Sequence, residues 1–531
     1  MDRGVDPFTF EIIRHKLFRV VDEAVATLEL VSGTPSTAEG HDLIVALYTP
    51  EGGLLTAGLG FVNHVAGAAQ SVKHILANYS EDPGIFEDDV FLFNDPFSGP
   101  MHPPDINMIS PIHWEGKLAG WVANFVHATD IGGIDPGGFC PSARECYHEG
   151  FSSPGIKIVE RGKLRKDVQN TILNMVRAPG MMLLDMKSQM AANYVAKQRM
   201  QKLYREYGYE TVDAVGRELI RQSEQLMRQR LLELPDGQWR ARHYYDLVDL
   251  GKLFRVELVA TKERDTLTFD FSGSSEQAPI GINCSYWSTW GSVTGPAFTL
   301  LGWDMTWNEG LIKPFKLIAP PGTVINAHKP APISIATIGI VYNVFHAATT
   351  VIAKMLGASE KYQKRPTGVW HGASLVWSTS GLSQWGDYMV HIGTEAFGGG
   401  AGARAFKDGV DMGGGAVVAL VTRWTNAEMI ELNAPLLYLY RRLVPDSAGP
   451  GKYRGGMCPE WAATLHDCPN NELKLVLMPG KGSECPPSYG VFGGYPGCNS
   501  EFIEFRGSNA TEFPNELAAT AGRAEHMQWG V

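Results

Sequence analysis

Cysteine is scarce and unpatterned in this sequence. Its seven residues (Cys140, Cys146, Cys284, Cys458, Cys468, Cys485 and Cys498) form neither a Cys-x-x-Cys zinc pattern nor the even count of a disulfide framework. A reducing, cytoplasmic setting is therefore expected. No apolar run approaches the roughly 20 residues of a membrane span, and Met1-Asp2-Arg3-Gly4-Val5-Asp6-Pro7 has no basic stretch followed by an apolar core. Neither insertion nor export is expected. Positive charge is not in excess: 46 basic residues stand against 57 acidic, a net −11, which argues against nucleic acid or an anionic membrane as partner. Also missing are the Gly-x4-Gly-Lys-Ser/Thr phosphate loop, a Gly-x-Gly-x-x-Gly after a strand, any repeat of roughly 20–50 residues and any low-complexity linker.

What is present fits a large globular chain, with 44% hydrophobic and 19% charged residues. The patterning predicts a mixed α+β fold of several layers, with mostly antiparallel or mixed sheets and packed helices. Asp6-Pro7 caps a helix from Phe8 to about Leu30. Leu43 to Tyr48 and Leu54 to Ala57 flank the turn Pro50-Glu51-Gly52-Gly53. Met182 to Tyr207 and Thr211 to Leu234 read as helices split by Gly208. Arg240 to Asp249, Phe254 to Ala260 and Thr266 to Phe271 read as strands, and Ala336 to Leu356 as a buried helix, apolar around most of its circumference. Changes of character divide the chain into an N-terminal metal-site region (1–180), a helical hairpin (181–235), a β-rich region with a buried helix (236–360) and a Gly-rich C-terminal region (361–531); these can share one core. The glycines of Phe397-Gly398 to Gly402 and Gly413 to Gly415 allow close approach to an anion. Tight turns and close backbone packing are the simpler reading.

The chemistry concentrates in one stretch. Asn94-Asp95-Pro96-Phe97 and Met101-His102-Pro103-Pro104-Asp105 are followed by an apolar run ending in His127-Ala128-Thr129-Asp130-Ile131-Gly132-Gly133. His102 and Asp105 sit three apart in a segment too proline-rich for a helix interior. Two imidazoles and a carboxylate form a borderline-hard ligand set that suits Zn²⁺, Mn²⁺ or Fe²⁺ and leaves positions open. The competing reading is ordinary hydrogen-bonded histidines.

Ile106 to Ile112 and Leu118 to Val126 form a hairpin around His113-Trp114-Glu115-Gly116-Lys117. A three-residue loop, Glu115 to Lys117, places Asp105 opposite His127 on one face, roughly 5 Å apart at Cβ. A two-residue turn shifts the register by one and puts them on opposite faces. The site depends on that register.

Phe93-Asn94-Asp95-Pro96-Phe97, His102-x-x-Asp105, His127-Ala-Thr-Asp130-Ile-Gly-Gly and Pro136-Gly137-Gly138 together resemble the hydantoinase B/oxoprolinase family. Agreement continues through Glu149-Gly150, Pro154-Gly-Ile-Lys157, Gln189-Met-Ala-Ala-Asn193, Asp270-Phe-Ser-Gly-Ser274 and Gly398 to Arg404. It closes with Asn426-Ala-Glu428, Glu431, Asp446-Ser447-Ala-Gly449 and Arg454-Gly-Gly456. The resemblance implies that His102, Asp105 and His127 bind a divalent ion, that Asp42 is a further ligand or a bridge to a second ion, and that His64 lies near the pocket. One departure is Glu39-Gly40-His41, where many members have Glu-Arg.

The resemblance further implies a hetero-oligomer in which ATP is used by an A-type ATPase subunit that phosphorylates the substrate's carbonyl oxygen. This chain would then open a cyclic amide such as a hydantoin, 5-oxoproline or lactam. Asp130, Glu149 and His148 are its acid/base candidates. Trp121, Phe125, Phe97, Trp287 and Trp290 are candidates for an apolar pocket or for core. Ketone carboxylation of the acetone or acetophenone type is the alternative; the lack of an extension beyond Gly530-Val531 leans towards the hydrolase. A scaffold with a structural metal is the third reading, but such sites are usually closed by four ligands including cysteine, and none lies beside these histidines.

Overall fold

The computed structural model describes residues 5–247, 251–370, 376–415, 422–477, 485–506 and 523–526. Asp249, Met1 to Gly4 and Gly530-Val531 lie outside them.

Helix α1 (Pro7–Val31) starts where Asp6-Pro7 predicts, the Asp6 carboxylate accepting from the N–H groups of Phe8 (3.3 Å) and Thr9 (2.9 Å). After the short α2 (Pro35–Ala38) come β1 (Leu43–Tyr48), β2 (Leu54–Ala57), α3 (His64–Asn78), β3 (Val90–Phe93), β4 (Asp105–Trp114), β5 (Lys117–His127), β6 (Pro154–Glu160) and β7 (Lys163–Leu164). These strands form one antiparallel sheet in the order β2-β1-β5-β4-β3-β6-β7. Both faces are buried, and the two-residue period sorts them. Leu43, Val45, Leu47, Val122 and Val126 pack with α1, α5 (Pro179–Tyr207) and α6 (Tyr209–Leu232), whereas Ile44, Ala46, Tyr48, Trp121, Ala123 and Phe125 face the central core.

Helix α4 (Lys166–Met175) leads into α5, and α5 and α6 are split at Gly208, whose φ of 80° only glycine takes readily. A second sheet comprises β8 (Gly237–Leu247), β9 (Lys252–Glu263), β10 (Thr266–Asp270) and β11 (Phe315–Ile318), antiparallel except for the β10–β11 pair. Between the sheets, α7 (Tyr286–Leu300) packs on α3 and on α9 (Ile340–Gly357), and α9 packs on β8 and β9; the short α8 (Glu309–Ile312) lies against α6. The C-terminal part holds β12 (Trp377–Leu382), β13 (Tyr388–Ile392), α10 (Ala427–Asn433), β14 (Leu436–Leu443), β15 (Pro459–Leu465), β16 (Lys474–Leu477), β17 (Ile503–Arg506) and β18 (Arg523–His526). The architecture is mixed α+β, and its largest core runs from Ile44 to Val476.

Three details differ from expectation. First, α9 begins at Ile340, because Ala336 to Gly339 form turns rather than a helix. Second, α9 is long and apolar enough to cross a membrane, yet 83% of it is buried within the protein, as in a core helix.

The third concerns the hairpin. Trp114 pairs with Lys117 across a two-residue turn with φ of 50° at Glu115 and 76° at Gly116, the type I′ signature. That turn alone would put Asp105 and His127 on opposite faces. A β-bulge restores them: His113 pairs with Leu118 but Ile112 with Gly120, leaving Ala119 as the extra residue, and from there the register runs to Asp105 opposite His127.

Candidate metal centre

The bulge delivers Asp105 and His127 to the same end of adjacent strands, on the face that looks into the central core. His102 joins them from the Pro-rich loop before β4. One ligand atom from each of His102, Asp105 and His127 lies within 4.8 Å of the others, and all three residues are buried.

Polar anchors hold this arrangement. The Asn94 amide donates to the carbonyls of Pro103 (3.0 Å) and Phe151 (2.8 Å) and accepts from Ser153 N–H (2.7 Å), which fixes the loop carrying His102. Ser288 Oγ donates to Met101 O at 2.7 Å. Behind the hairpin, Gln189 Nε2 donates to Ile106 O (2.7 Å) and Asn124 Oδ1 (2.8 Å), Asn124 donates to Asn193 Oδ1 (2.7 Å), and Asn193 donates to Met108 O (3.1 Å). The Gln189 to Asn193 motif thus bolts α5 to the strands that carry Asp105 and His127.

The hydrogen-bond inventory at the cluster is incomplete. His102 Nδ1 lies 2.6 Å from the Ser334 carbonyl oxygen, which only accepts, so Nδ1 carries the hydrogen and Nε2 presents its lone pair. That lone pair faces Asp105 Oδ1 at 3.1 Å. Two acceptors at this separation require a proton or a cation between them. Both His127 nitrogens, Asp105 Oδ2, His64 Nδ1, Asn63 Oδ1 and Ser36 Oγ are buried without a hydrogen-bond partner. Orphaned buried polar atoms are costly, and a divalent ion satisfies several together. The residues fit a metal.

Electrostatics agree with that fit. Burial, with the neighbouring His102, pushes His127 down to about 3, and burial pushes His64 down to about 4, so both imidazoles are neutral and able to ligate near pH 7. Burial would raise Asp105, but His102, His64 and His127 outweigh it and its carboxyl sits below the usual range. Asp42 is driven well above that range by burial and by the Asp105 charge.

These residues line a cavity of about 60 Å³ together with Ser36, Phe61, Asn63, Phe139, Thr337, Tyr342, Thr394 and Phe397. Asp42 and His64 are in its wall, and His64 Nδ1 stands 3.5 Å from Asp105 Oδ2 while its ring stacks on Phe125 at 3.7 Å. Asp130, Glu149 and His148 do not line it. The buried Asp130 carboxylate accepts from the N–H groups of Gly132 (3.0 Å) and Arg177 (2.9 Å) and pairs with the Arg177 guanidinium (2.9 Å), pinning a loop. Glu149 is turned to the backbone of Ile333 and Ser334; burial lifts its carboxyl to about 7 against those N–H groups. His148 is on the surface beside Glu145, at 3.5 Å. Of the expected aromatic residues, Trp121, Phe97, Phe125, Trp287 and Trp290 are all absent from the cavity lining.

Sequence reasoning missed Thr337, whose Oγ1 is 3.5 Å from His102 Nε2, along with Ser36, Asn63 and Tyr342. The only local signal was Asn63, next to His64. Thr337 was hidden in a run whose apolar residues read as helix. The Gly-rich run behaves as the simpler reading requires: a Cβ on Gly400 would sit 2.0 Å from Gly456 O, and one on Gly402 2.0 Å from Gly368 O. Gly398 to Gly402 also line a separate cavity of about 1450 Å³, which shares only Val376 with the metal cavity.

Known proteins share this geometry's framework. The chain is 26% identical to the acetophenone carboxylase delta subunit of Aromatoleum aromaticum over 520 residues, 96% of this chain and 74% of the relative. It is 29% identical to the B subunit of a putative D-/L-hydantoinase from Pseudomonas sp. over 476 residues, 86% of this chain and 77% of that one. Its fold superposes on the crystal structure of the ATP-dependent caprolactamase from Pseudomonas jessenii with a TM-score of 0.78 at 25% identity, covering 87% of this chain and 79% of the other. Residues 6–529 match the hydantoinase B/oxoprolinase family model, and the chain belongs to that family.

Proposed function

We propose that this chain is the metal-bearing B-type component of a heteromeric, ATP-dependent enzyme that opens a cyclic amide such as a hydantoin, 5-oxoproline or lactam. The observation that carries the reading is the set of orphaned donors and acceptors converging on one small buried cavity. His102, Asp105 and His127 would hold the ion, and Asp42 would complete its shell and lose its proton on doing so. A divalent ion bound there supplies a Lewis acid that polarises an electrophile and acidifies water.

The protein's own groups have separate tasks. Ser334 O fixes the His102 tautomer, and the paired strands hold Asp105 and His127 on one face. His64, stacked on Phe125 and facing Asp105 Oδ2, orients that carboxylate. Phe61, Phe139 and Phe397 exclude bulk water from the cavity. A ring amide resists hydrolysis because its carbonyl is weakly electrophilic and its nitrogen leaves poorly. Phosphorylation of the oxygen by an A-type partner would remove the first obstacle; a caprolactamase neighbour that is ATP-dependent and a hydantoinase relative that is a B subunit are in keeping with that division.

Ketone carboxylation is the second reading, and one observation favours it. The carboxylase relative aligns with 96% of this chain, against 86% for the hydantoinase relative. The test is to purify the chain with its A-type partner and supply ATP with hydantoin, 5-oxoproline or caprolactam, and separately ATP with acetone or acetophenone and labelled bicarbonate. Ring-opened amino acid supports the first reading. Label fixed into a keto acid with no ring opening replaces it by the second.

A further inference from the structure

Glu149 is 1% exposed and does not line the small cavity around His102. Its carboxylate is nevertheless fully used. Oε1 accepts from Ile333 N–H at 2.7 Å and from Ser334 N–H, and Oε2 lies 3.0 Å from Ile333 N. The same Ser334 presents its carbonyl to His102 Nδ1 at 2.6 Å. Before that carbonyl, Pro332 O accepts from Asn283 at 3.0 Å; after it, in the same peptide unit, Ile335 N–H donates to Gly281 O at 2.8 Å. The segment is gripped on both sides of the carbonyl that meets His102 Nδ1.

Nε2 faces Asp105 Oδ1 at 3.1 Å, a contact that takes either a hydrogen or a shared cation, so the Ser334 carbonyl is the contact that reserves Nδ1 for a hydrogen. A displaced Ser334 would withdraw its carbonyl from Nδ1 and let the ring flip or take the other tautomer. We propose that Glu149 is a positioning residue for the metal centre: by clamping the Ile333 and Ser334 N–H groups it aims the Ser334 carbonyl at His102 Nδ1 and so presents Nε2 to the ion. This rests on the metal reading above. It gives Glu149 a role distinct from acid/base chemistry, and it links the Glu149-Gly150 motif to the His102-x-x-Asp105 motif through a third segment far along the chain.

The test compares Mn²⁺ and Zn²⁺ dissociation constants of the full chain, by competition with a chromogenic chelator, for the parent, Glu149→Ala, Glu149→Gln and Asp130→Ala. Removing a group that orients a metal-ligating histidine typically lowers affinity about 10–100-fold, and that loss is expected for Glu149→Ala. Glu149→Gln keeps Oε1 as an acceptor but turns an amide N–H₂ towards Ile333 N–H, so a smaller loss is expected; it carries the test if the alanine variant does not fold. Asp130→Ala is the control for general loosening, because Asp130 is a buried anchor of the loop packed against Glu149-Gly150, and its carboxylate bonds to Gly132, Gly137 and Arg177 rather than to Ile333 or Ser334. Its affinity is expected to match the parent's. Unchanged affinity in a folded Glu149 variant, or an equal loss in Asp130→Ala, overturns the proposal while leaving the metal reading intact. A parent that binds neither ion overturns the metal reading itself.

Discussion

Replacing Gln189 by methionine preserves side-chain volume in α5 but removes the donor that ties it to the ligand strands. The Gln189 Nε2 hydrogen bonds to Ile106 O, at 2.7 Å, and to Asn124 Oδ1, at 2.8 Å, are both buried. Ile106 follows Asp105 in the chain. With the amide gone, two buried acceptors lose this partner, at a cost of about 1–3 kcal/mol each. The swap leaves no cavity to add to that. Gln189→Met is therefore expected to destabilise the metal-free chain by about 2–6 kcal/mol. The assay is urea denaturation followed by tryptophan fluorescence and far-ultraviolet circular dichroism together, since coincident transitions justify a single free energy. A loss below about 0.5 kcal/mol, the size of a neutral surface change, would refute the claim that this network bolts α5 to the sheet.

Metal uptake by the parent should release protons, because burial and the Asp105 charge favour the protonated form of Asp42, and the proton that the His102 Nε2–Asp105 Oδ1 contact needs without a cation has to leave, while His64, at about 4, and His127, at about 3, have none to give near neutral pH. Affinity should then rise with pH, about tenfold per unit for each proton released, and calorimetry in buffers of different ionisation enthalpy should show a smaller release in Asp42→Asn than in the parent. Asp130→Ala breaks a buried carboxylate's pairing with Arg177 and should cost about 3 kcal/mol in stability, read by denaturant midpoint, while leaving the metal content unchanged. Gly116→Ala forces a side chain into a φ of 76° in the type I′ turn and should cost about 1–2 kcal/mol, seen as a lower melting temperature.

Much of the framework was legible because it rests on local rules. Asp6-Pro7 marks the start of α1 by capping chemistry, and Gly208 marks the break between α5 and α6 because its backbone angle suits only glycine. The candidate triad His102, Asp105 and His127 was legible as residue types at the ends of two β-rich runs. The reason these residues meet was not, since the turn has two residues and a bulge at Ala119 makes up the difference; that bulge is set by pairing along the whole hairpin. The roles of Glu149 and Asp130 were equally hidden. A carboxylate near a metal motif suggests proton transfer, but which partners surround it depends on Ile333-Ser334 and Arg177, brought in by folding. Thr337 was concealed because an apolar run has helical character whether or not its first turn is helical.

The most direct test of the central claim is elemental analysis of the full chain, purified without chelators, beside its folded His102→Ala/His127→Ala double variant. The account predicts near-stoichiometric Zn, Mn or Fe in the parent and its loss in the variant. An intact parent with no metal, or a folded variant that retains it in full, would contradict the assignment of His102, Asp105 and His127 as the site.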